Sequence, residues 1–446
     1  MNTGAEHLSR DQVSWRWRIL ISTYFAYAGF YLTRKVFTIC KTPLAEEFDV
    51  GLGEIAHIWT AYLVAYMLGQ FLSSMIGRKW GPRVLLLGGL AISIVINVIF
   101  GVANSYWTFL VFMFVNGLAQ AAGWPGCVGG ISEWLRKKER GSIMGVWSTN
   151  YLVGNMLVKS IGGFLLASYG WRHAFFGCTL MTVAVWWVIY LWQRNKPQDV
   201  GLPPIIKPEA EDSRTVRVST EEHITVRQYL QLALNPVVII MGISYFSVKF
   251  LRYALDSWLP TFLNLQGMDV GRASYYSSIF DFAGLAGAIV AGWALDRWFR
   301  GQWQILCFLM GIGMVLGYIL VVLFGANPYA LAICFGAVGF MIYGPDTILA
   351  GAASVQVAGE KNGLAVAGLV NGVGSLGPVV QEEVIGWLMG DKDANVAIRN
   401  ANLLTLSMSI AFLLTMIVVI WYVRAAHKKN FHADAAVDKA RRPPGS

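Results

Sequence analysis

The amino-acid sequence predicts an all-α integral membrane protein, with twelve transmembrane helices in two six-helix halves. Three features carry that prediction. Apolar residues make up 56% of the 446 and charged residues only 14%. Apolar segments of roughly 20 residues, the length that crosses a bilayer, recur twelve times. One long polar stretch, residues 195–236, separates the first six from the last six.

Residues 1–18 read as a short polar N-terminal tail. The spans fall at 19–39, 56–77, 83–104, 106–132, 141–169, 172–194, 237–261, 272–296, 302–325, 328–352, 361–389 and 399–424. An acidic loop, Glu46-Glu47-Phe-Asp49, follows span 1, and a tight basic turn, Gly77 to Arg83, follows span 2. Span 4 contains Gly117-Leu-Ala-Gln-Ala-Ala-Gly-Trp-Pro-Gly126, small residues that let helix backbones approach closely. It exits into the basic run Arg136 to Arg140, and span 5 then carries Lys159. The N-terminal half is therefore 19–194, the linker 195–236, the C-terminal half 237–425 and the C-terminal tail 426–446. Between spans 8 and 9, Gly292-Trp-Ala-Leu-Asp-Arg297 stands where the first half has its basic turn, and both turns are expected to lock helices in one of two alternating states.

The net charge of +9 first suggests nucleic acid. The positions of the basic residues exclude that. About 25 of the 35 Lys and Arg lie in the termini, the linker and the loops on the same side as them. By the positive-inside rule both termini and the linker are cytoplasmic, so the basic excess is topological. The first apolar run is too long for a cleaved leader and lacks a small-residue cleavage pattern. Cys40, Cys127, Cys178, Cys307 and Cys334 lie in or beside apolar spans without metal-ligand spacing, as small packing residues do. No cofactor is implied, and no nucleophile–base pair or phosphate-cradling loop suggests an enzyme.

Two stretches carry the functional signal. In span 1, Tyr27, Tyr31 and Arg34 are spaced i, i+4, i+7 and share one helix face. A cation inside a membrane helix costs roughly 2.5–3.5 kcal/mol on the mildest scale, and such residues line a watery cavity or meet a partner. Span 7 carries Arg252. Arg34 lies 16 residues past Arg18, and Arg252 lies 16 past Pro236. At 1.5 Å per residue both sit about 24 Å along equivalent helices of the two halves. Where such halves pack about a pseudo-two-fold axis, the site lies near the midplane between them. Two guanidinium groups facing one cavity would clamp a dianion.

The chain resembles the organophosphate:phosphate antiporters of the major facilitator superfamily, which include glycerol-3-phosphate and hexose-phosphate transporters. The resemblance runs over nearly all of residues 15–425. It is carried by Tyr31-Leu-Thr-Arg-Lys-Val-Phe37, Gly123-Trp-Pro-Gly-Cys127, Lys138-Glu-Arg-Gly141, Leu251-Arg-Tyr253 with Trp258-Leu-Pro260, and Phe340-Met-Ile-Tyr-Gly-Pro345. It implies the major facilitator fold, phosphate-binding roles for Arg34 and Arg252, and binding tyrosines at Tyr27, Tyr31, Tyr66 and Tyr343. Three positions depart from the family's pattern. Tyr151 stands where some members have a substrate-facing histidine, Gln70 replaces a common lysine, and the aspartate after the second arginine is displaced by one, to Asp256. The span 11 run Gly368 to Pro378 looks more like the sugar-phosphate exchangers of animals.

Several charges have competing readings. Asp256, at i+4 from Arg252, is a candidate resting partner for it. Lys35 points about 100° away from Arg34 on the helix and serves either the cavity or packing. Lys249, Lys159, Asp281, Asp346, Glu382 and Glu383 complete the intramembrane charges, and most are expected to neutralise one another. One of the adjacent pair Glu382 and Glu383 is a candidate proton-sensitive group. The tyrosines, Tyr151 among them, compete with a reading as ordinary interface aromatics.

The expectation is a monomeric exchanger of the bacterial inner membrane. It would take up a small phosphate monoester (glycerol-3-phosphate, hexose phosphate or phosphoglycerate) against inorganic phosphate. A transporter-like hexose-phosphate sensor and a proton-coupled organic anion symporter are the alternatives.

Overall fold

The computed structural model describes residues 8–136, 139–205, 226–390 and 393–441. Lys138 of one sequence motif, residues 206–225 of the expected linker, and the ends of both expected tails (1–7 and 442–446) lie outside them. The described elements are helices, with no strand among the described residues. A bilayer core offers no water to backbone amides and carbonyls, and a helix satisfies them within one segment.

Span 1 is the helix Arg10–Ile39. It begins inside the expected tail because Ser9 and Gln12 form a reciprocal capping box, with hydrogen bonds of 3.1 and 2.9 Å. A short helix, Lys41–Phe48, follows. Spans 2 and 3 form one segment, Leu52–Val102, broken at Gly81, whose φ of +80° suits only glycine without strain. Span 4 is interrupted after Gln120 and resumes at Gly123. Span 5 runs through Arg140–Trp147, Asn150–Leu157, a π-helical turn at Val158–Gly162, and Gly163–Tyr169. Span 6 is Trp171–Trp192.

Within the linker, Pro197–Val200 forms a 3₁₀ turn and Val226–Ala233 an α-helix. Spans 7 to 10 are Pro236–Leu265, Val270–Arg297, Trp303–Phe324 and Pro328–Ala350. Asn235 and Asn327 cap two of these helices and place a proline at the first turn, where its missing N–H costs nothing. Gly292 to Arg297, expected as a turn, stays helical, and the chain turns instead at Arg300 and Gly301, both at positive φ. Span 11 is Ala352–Gly374 with Leu376–Leu388, and span 12 belongs to Ala394–Arg441.

Among the described residues, eight helical segments are by themselves long and apolar enough to cross a membrane. Spans 1, 2, 4 and 11 fall outside that set. Each borders the cavity between the halves. Span 10 is central, with 67% of its apolar window buried, whereas span 12, with 28%, faces lipid.

The C-terminal half packs around Phe280, Met314, Tyr318, Phe335 and Phe412. The N-terminal half has two clusters, one on Trp59, Phe100 and Phe109 near the side away from the termini, and one on Phe30, Trp134 and Trp147 nearer them. The halves meet most closely at that far side, where the start of span 2 lies on the end of span 11 and the end of span 5 on the start of span 8. Glycine makes both approaches possible. A Cβ on Gly386 would collide with Ala56, and one on Gly271 would lie 2.6 Å from the Ala167 side chain. The far side is closed.

Candidate functional site

A cavity of about 610 Å³ lies between the halves on the side that carries the termini. Tyr27, Tyr66, Gln70 and Trp124 line it from the first half, and Lys249, Arg252 and Asn371 from the second. At its blind end a recess of about 60 Å³ is bordered by Tyr31, Arg34 and Tyr62.

Arg34 is 7% exposed, and no carboxylate pairs with it among the described residues. Its Nη1 donates to the Tyr62 hydroxyl at 3.1 Å. The guanidinium carbon lies 3.8 Å from the ring centre of Tyr31 and 5.7 Å from those of Tyr27 and Tyr66. These are cation–π distances, which hold a cation without neutralising it. The i, i+4, i+7 spacing thus brings Tyr27 and Tyr31 onto Arg34. Tyr62 is fixed in turn, since it donates to Gln120 Oε1 at 3.4 Å and Gln120 Nε2 donates to the Thr33 hydroxyl at 2.8 Å. Five N–H donors and one neutral acceptor leave this guanidinium with bonding capacity.

Arg252 has a matching cage from the other side. Its guanidinium carbon lies 4.7 Å from the Tyr343 ring, 5.3 Å from Tyr151 and 5.6 Å from Tyr253. Tyr151 and Tyr343 belong to different halves and stack in parallel, with centres 6.5 Å apart. Unlike Arg34, this arginine has an acid: its Nη1 donates to Asp346 Oδ2 at 2.6 Å. The expected pairing of Arg252 with Asp256 is therefore wrong. One turn along the helix, Asp256 faces the other half and pairs with Lys35.

Lys249 also departs from expectation. Rather than joining a charge pair, its Nζ donates to Asn371 Oδ1 at 2.7 Å and to the Ser375 hydroxyl at 3.2 Å. It is a cavity residue without a bonded acid among the described residues.

Most of the remaining intramembrane charges join the two halves on the far side. Lys35 bonds Asp256, Asn155 Nδ2 donates to Asp256 at 2.7 Å and to Asp281 at 2.8 Å, and Lys159 reaches Asp281 Oδ2 at 2.6 Å. The ladder runs through spans 1, 7, 5 and 8, so every rung joins the two halves. The π-helical turn carries Lys159, and its carbonyl accepts from Ser274 across the interface at 2.8 Å. Beyond the ladder, Lys41 bonds Glu382 with both side chains fully buried, and the Trp258 indole donates to the same carboxylate at 3.0 Å. Glu383 points away and pairs with His57 at 2.8 Å on the exposed rim. Lys35 therefore belongs to the seal, and the two adjacent acids of span 11 serve different surroundings.

Sequence reasoning missed Tyr62, Tyr253, Gln120, Lys41 and Asn155. Tyr62 had a signal, since with Tyr66 it forms an i, i+4 aromatic pair like that of span 1. Lys41 had none, because it lies just past the end of span 1 and resembles a loop cation. The cysteines are free and mostly buried, and no cluster of three or more metal-ligating side chains occurs among the described residues.

A family model described as Major Facilitator Superfamily matches residues 23–381. The glycerol-3-phosphate transporter of Bacillus subtilis is 28% identical over 371 residues, covering 81% of this chain and 83% of that one. The membrane sensor protein UhpC of Salmonella typhimurium is 28% identical over 378 residues, covering 84% of each. Among solved structures, a bacterial homologue of the human lysosomal transporter Spinster, inward-facing and occupied, aligns with a TM-score of 0.70. That alignment covers 98% of this chain and all of the other at 15% identity, a likeness of fold.

Proposed function

The chain belongs to the Major Facilitator Superfamily, and from that premise we propose that it exchanges a small phosphate monoester for inorganic phosphate, with Arg34 and Arg252 gripping the phosphate. The observation that carries this reading is Arg34 itself. It is a buried guanidinium held by tyrosine faces and one hydroxyl, with no bonded carboxylate among the described residues. Leaving such a charge unpaired in a closed site costs several kcal/mol. A phosphate monoester carries about −1.5 to −2 charges near neutral pH. Its oxygens match the planar fork of arginine, which stays charged when desolvated.

The geometry supports alternating access. The cavity opens on the side of the termini, which the positive-inside rule assigns to the cytoplasm, so this is an inward-facing state. Bound anion neutralises the clamp and lets the cavity close. An empty clamp resists closure, which couples uptake of one anion to export of another.

The test is efflux of radiolabelled phosphate from proteoliposomes with phosphate esters outside, for the natural chain and for Arg34→Lys and Arg252→Lys. Ester-driven efflux that is lost in both variants is the expected result. Net phosphate leakage without a counter-anion would sink the exchange reading. The similarity to a membrane sensor protein supports a second reading, in which the same site binds hexose phosphate and signals. Saturable binding with no flux in either direction would select it.

A further inference from the structure

We propose that Lys249 and Asp346 together set the cavity's charge at two positive units, which selects dianionic phosphate monoesters with an uncharged organic part over phosphate esters that also carry a carboxylate. This rests on the exchange reading above.

The charge census of the two recesses supports it. Among the described residues they are bordered by four cations, Arg34, Lys35, Lys249 and Arg252. Two acids oppose them. Asp256 is bonded to Lys35, and Asp346 is bonded to Arg252 at 2.6 Å. Four cations against two acids leave an excess of two. Asp346 alone would cut the arginine clamp to one net charge. Lys249, three residues before Arg252 and therefore on the same helix face, restores the second. Its only hydrogen-bond partners among the described residues are the neutral Asn371 and Ser375.

Passage between the two open states requires a moment when the cavity is closed on both sides and its charges are desolvated. Uncompensated charge is most costly then. A dianion brings the closed cavity to neutrality. A trianionic phosphate carboxylate overshoots by one charge, and a monoanion falls short by one.

The experiment uses full-length protein in proteoliposomes at pH 8, where a phosphate monoester is essentially dianionic. Displacement of labelled phosphate by glycerol 3-phosphate and by 3-phosphoglycerate is compared. These esters have the same carbon skeleton and differ in one carboxylate. The natural chain should favour glycerol 3-phosphate at least tenfold. Asp346→Asn, which raises the cavity to three positive charges, should reverse or erase that preference. Lys249→Gln lowers the charge to one and should weaken displacement by 3-phosphoglycerate further still. The double variant Lys249→Gln/Asp346→Asn carries two positive charges again and should return to the natural ratio, which a purely structural role for either residue would not produce. A natural preference for 3-phosphoglycerate, or a double variant that stays at the Asp346→Asn ratio, overturns the proposal while leaving exchange intact. Labelled phosphate that no ester displaces overturns the exchange reading with it. If one single variant cannot be recovered, the other single variant and the double variant decide, since the preference should shift in the single variant and return to the natural ratio in the double.

Discussion

Neutralising Glu382 tests what holds the far side shut. In the closed arrangement the Lys41 ammonium is fully buried. It contacts the Glu382 carboxylate, the Ser257 hydroxyl at 2.8 Å and the face of Trp258 at 3.6 Å. Glu382→Gln keeps the shape and removes the only carboxylate bonded to Lys41 among the described residues. Removing one partner of a buried ion pair costs about 3–5 kcal/mol, because the other charge is left uncompensated. When the far side opens, water reaches Lys41, so the penalty falls on the closed state alone. At 1.4 kcal/mol per tenfold, the closed-to-open ratio should fall by roughly a hundredfold to a few thousandfold. The assay is the distance between spin labels at positions 54 and 387, both exposed on the far rim, measured by pulsed electron resonance in lipid discs. Glu382→Gln should move most of the population to the longer distance. Lys41→Met/Glu382→Met, with no charge to strand, should return to the short one, since apolar replacement of a whole buried pair is often neutral or stabilising. An unchanged distance distribution in Glu382→Gln would refute the idea that this pair holds the seal.

Three further outcomes follow from the same contacts. Tyr62→Phe removes the hydroxyl on Arg34 and leaves the ring, and a hydrogen bond to a charged group contributes about 1.5–3 kcal/mol. That bond is made in the empty site, so its loss should lower the thermal unfolding temperature, and the loosened guanidinium should raise the apparent KM for phosphate exchange. Gly386→Val drives a branched side chain into Ala56, where even a Cβ collides. Far-side closure should fail, seen as lost exchange and a permanently long distance between labels 54 and 387. Asn155→Asp puts a third carboxylate between Asp256 and Asp281. Like charges at that spacing should loosen the ladder, and accessibility of far-side cysteine reporters should rise above that of Asn155→Ala.

The fold was largely legible because each span needs about 20 apolar residues and the bilayer leaves helices as the means of spanning with such segments. The arginines were legible for a related reason, since an intramembrane cation stands out against apolar neighbours. Partners were not. Sequence spacing ranks Asp256 beside Arg252 because i+4 is the strongest local relation a helix offers. The structure sends Asp256 to Lys35 and supplies Asp346 from span 10, a choice made by how two halves meet. Lys41 and Glu382 are 341 residues apart, and no periodicity links them. Tertiary packing decided the pairings, and a single sequence does not encode packing in its local spacings.

The division of cations between the far-side ion pairs and the proposed phosphate clamp has a physical basis. Lys35, Lys41 and Lys159 meet acids across the closing interface, while Arg34 and Arg252 sit under tyrosine rings at the cavity. A lysine ammonium is compact and strongly hydrated, so water readily replaces its carboxylate when the interface parts, and the bond reforms on closing. Arginine is more weakly hydrated and its fork is preorganised for tetrahedral oxyanions, so it keeps its geometry in the empty site. The exchange of roles has a consequence. Lys159→Arg preserves charge but brings a wider, forked head into a pocket where Asp281 and the Ser277 carbonyl already surround the ammonium. The closed state should be strained by overpacking, about 1–3 kcal/mol, so this conservative change should shift labels 54 and 387 outward. A closed distance distribution in Lys159→Arg would mean that charge alone, without the compact shape of lysine, suffices to hold the seal.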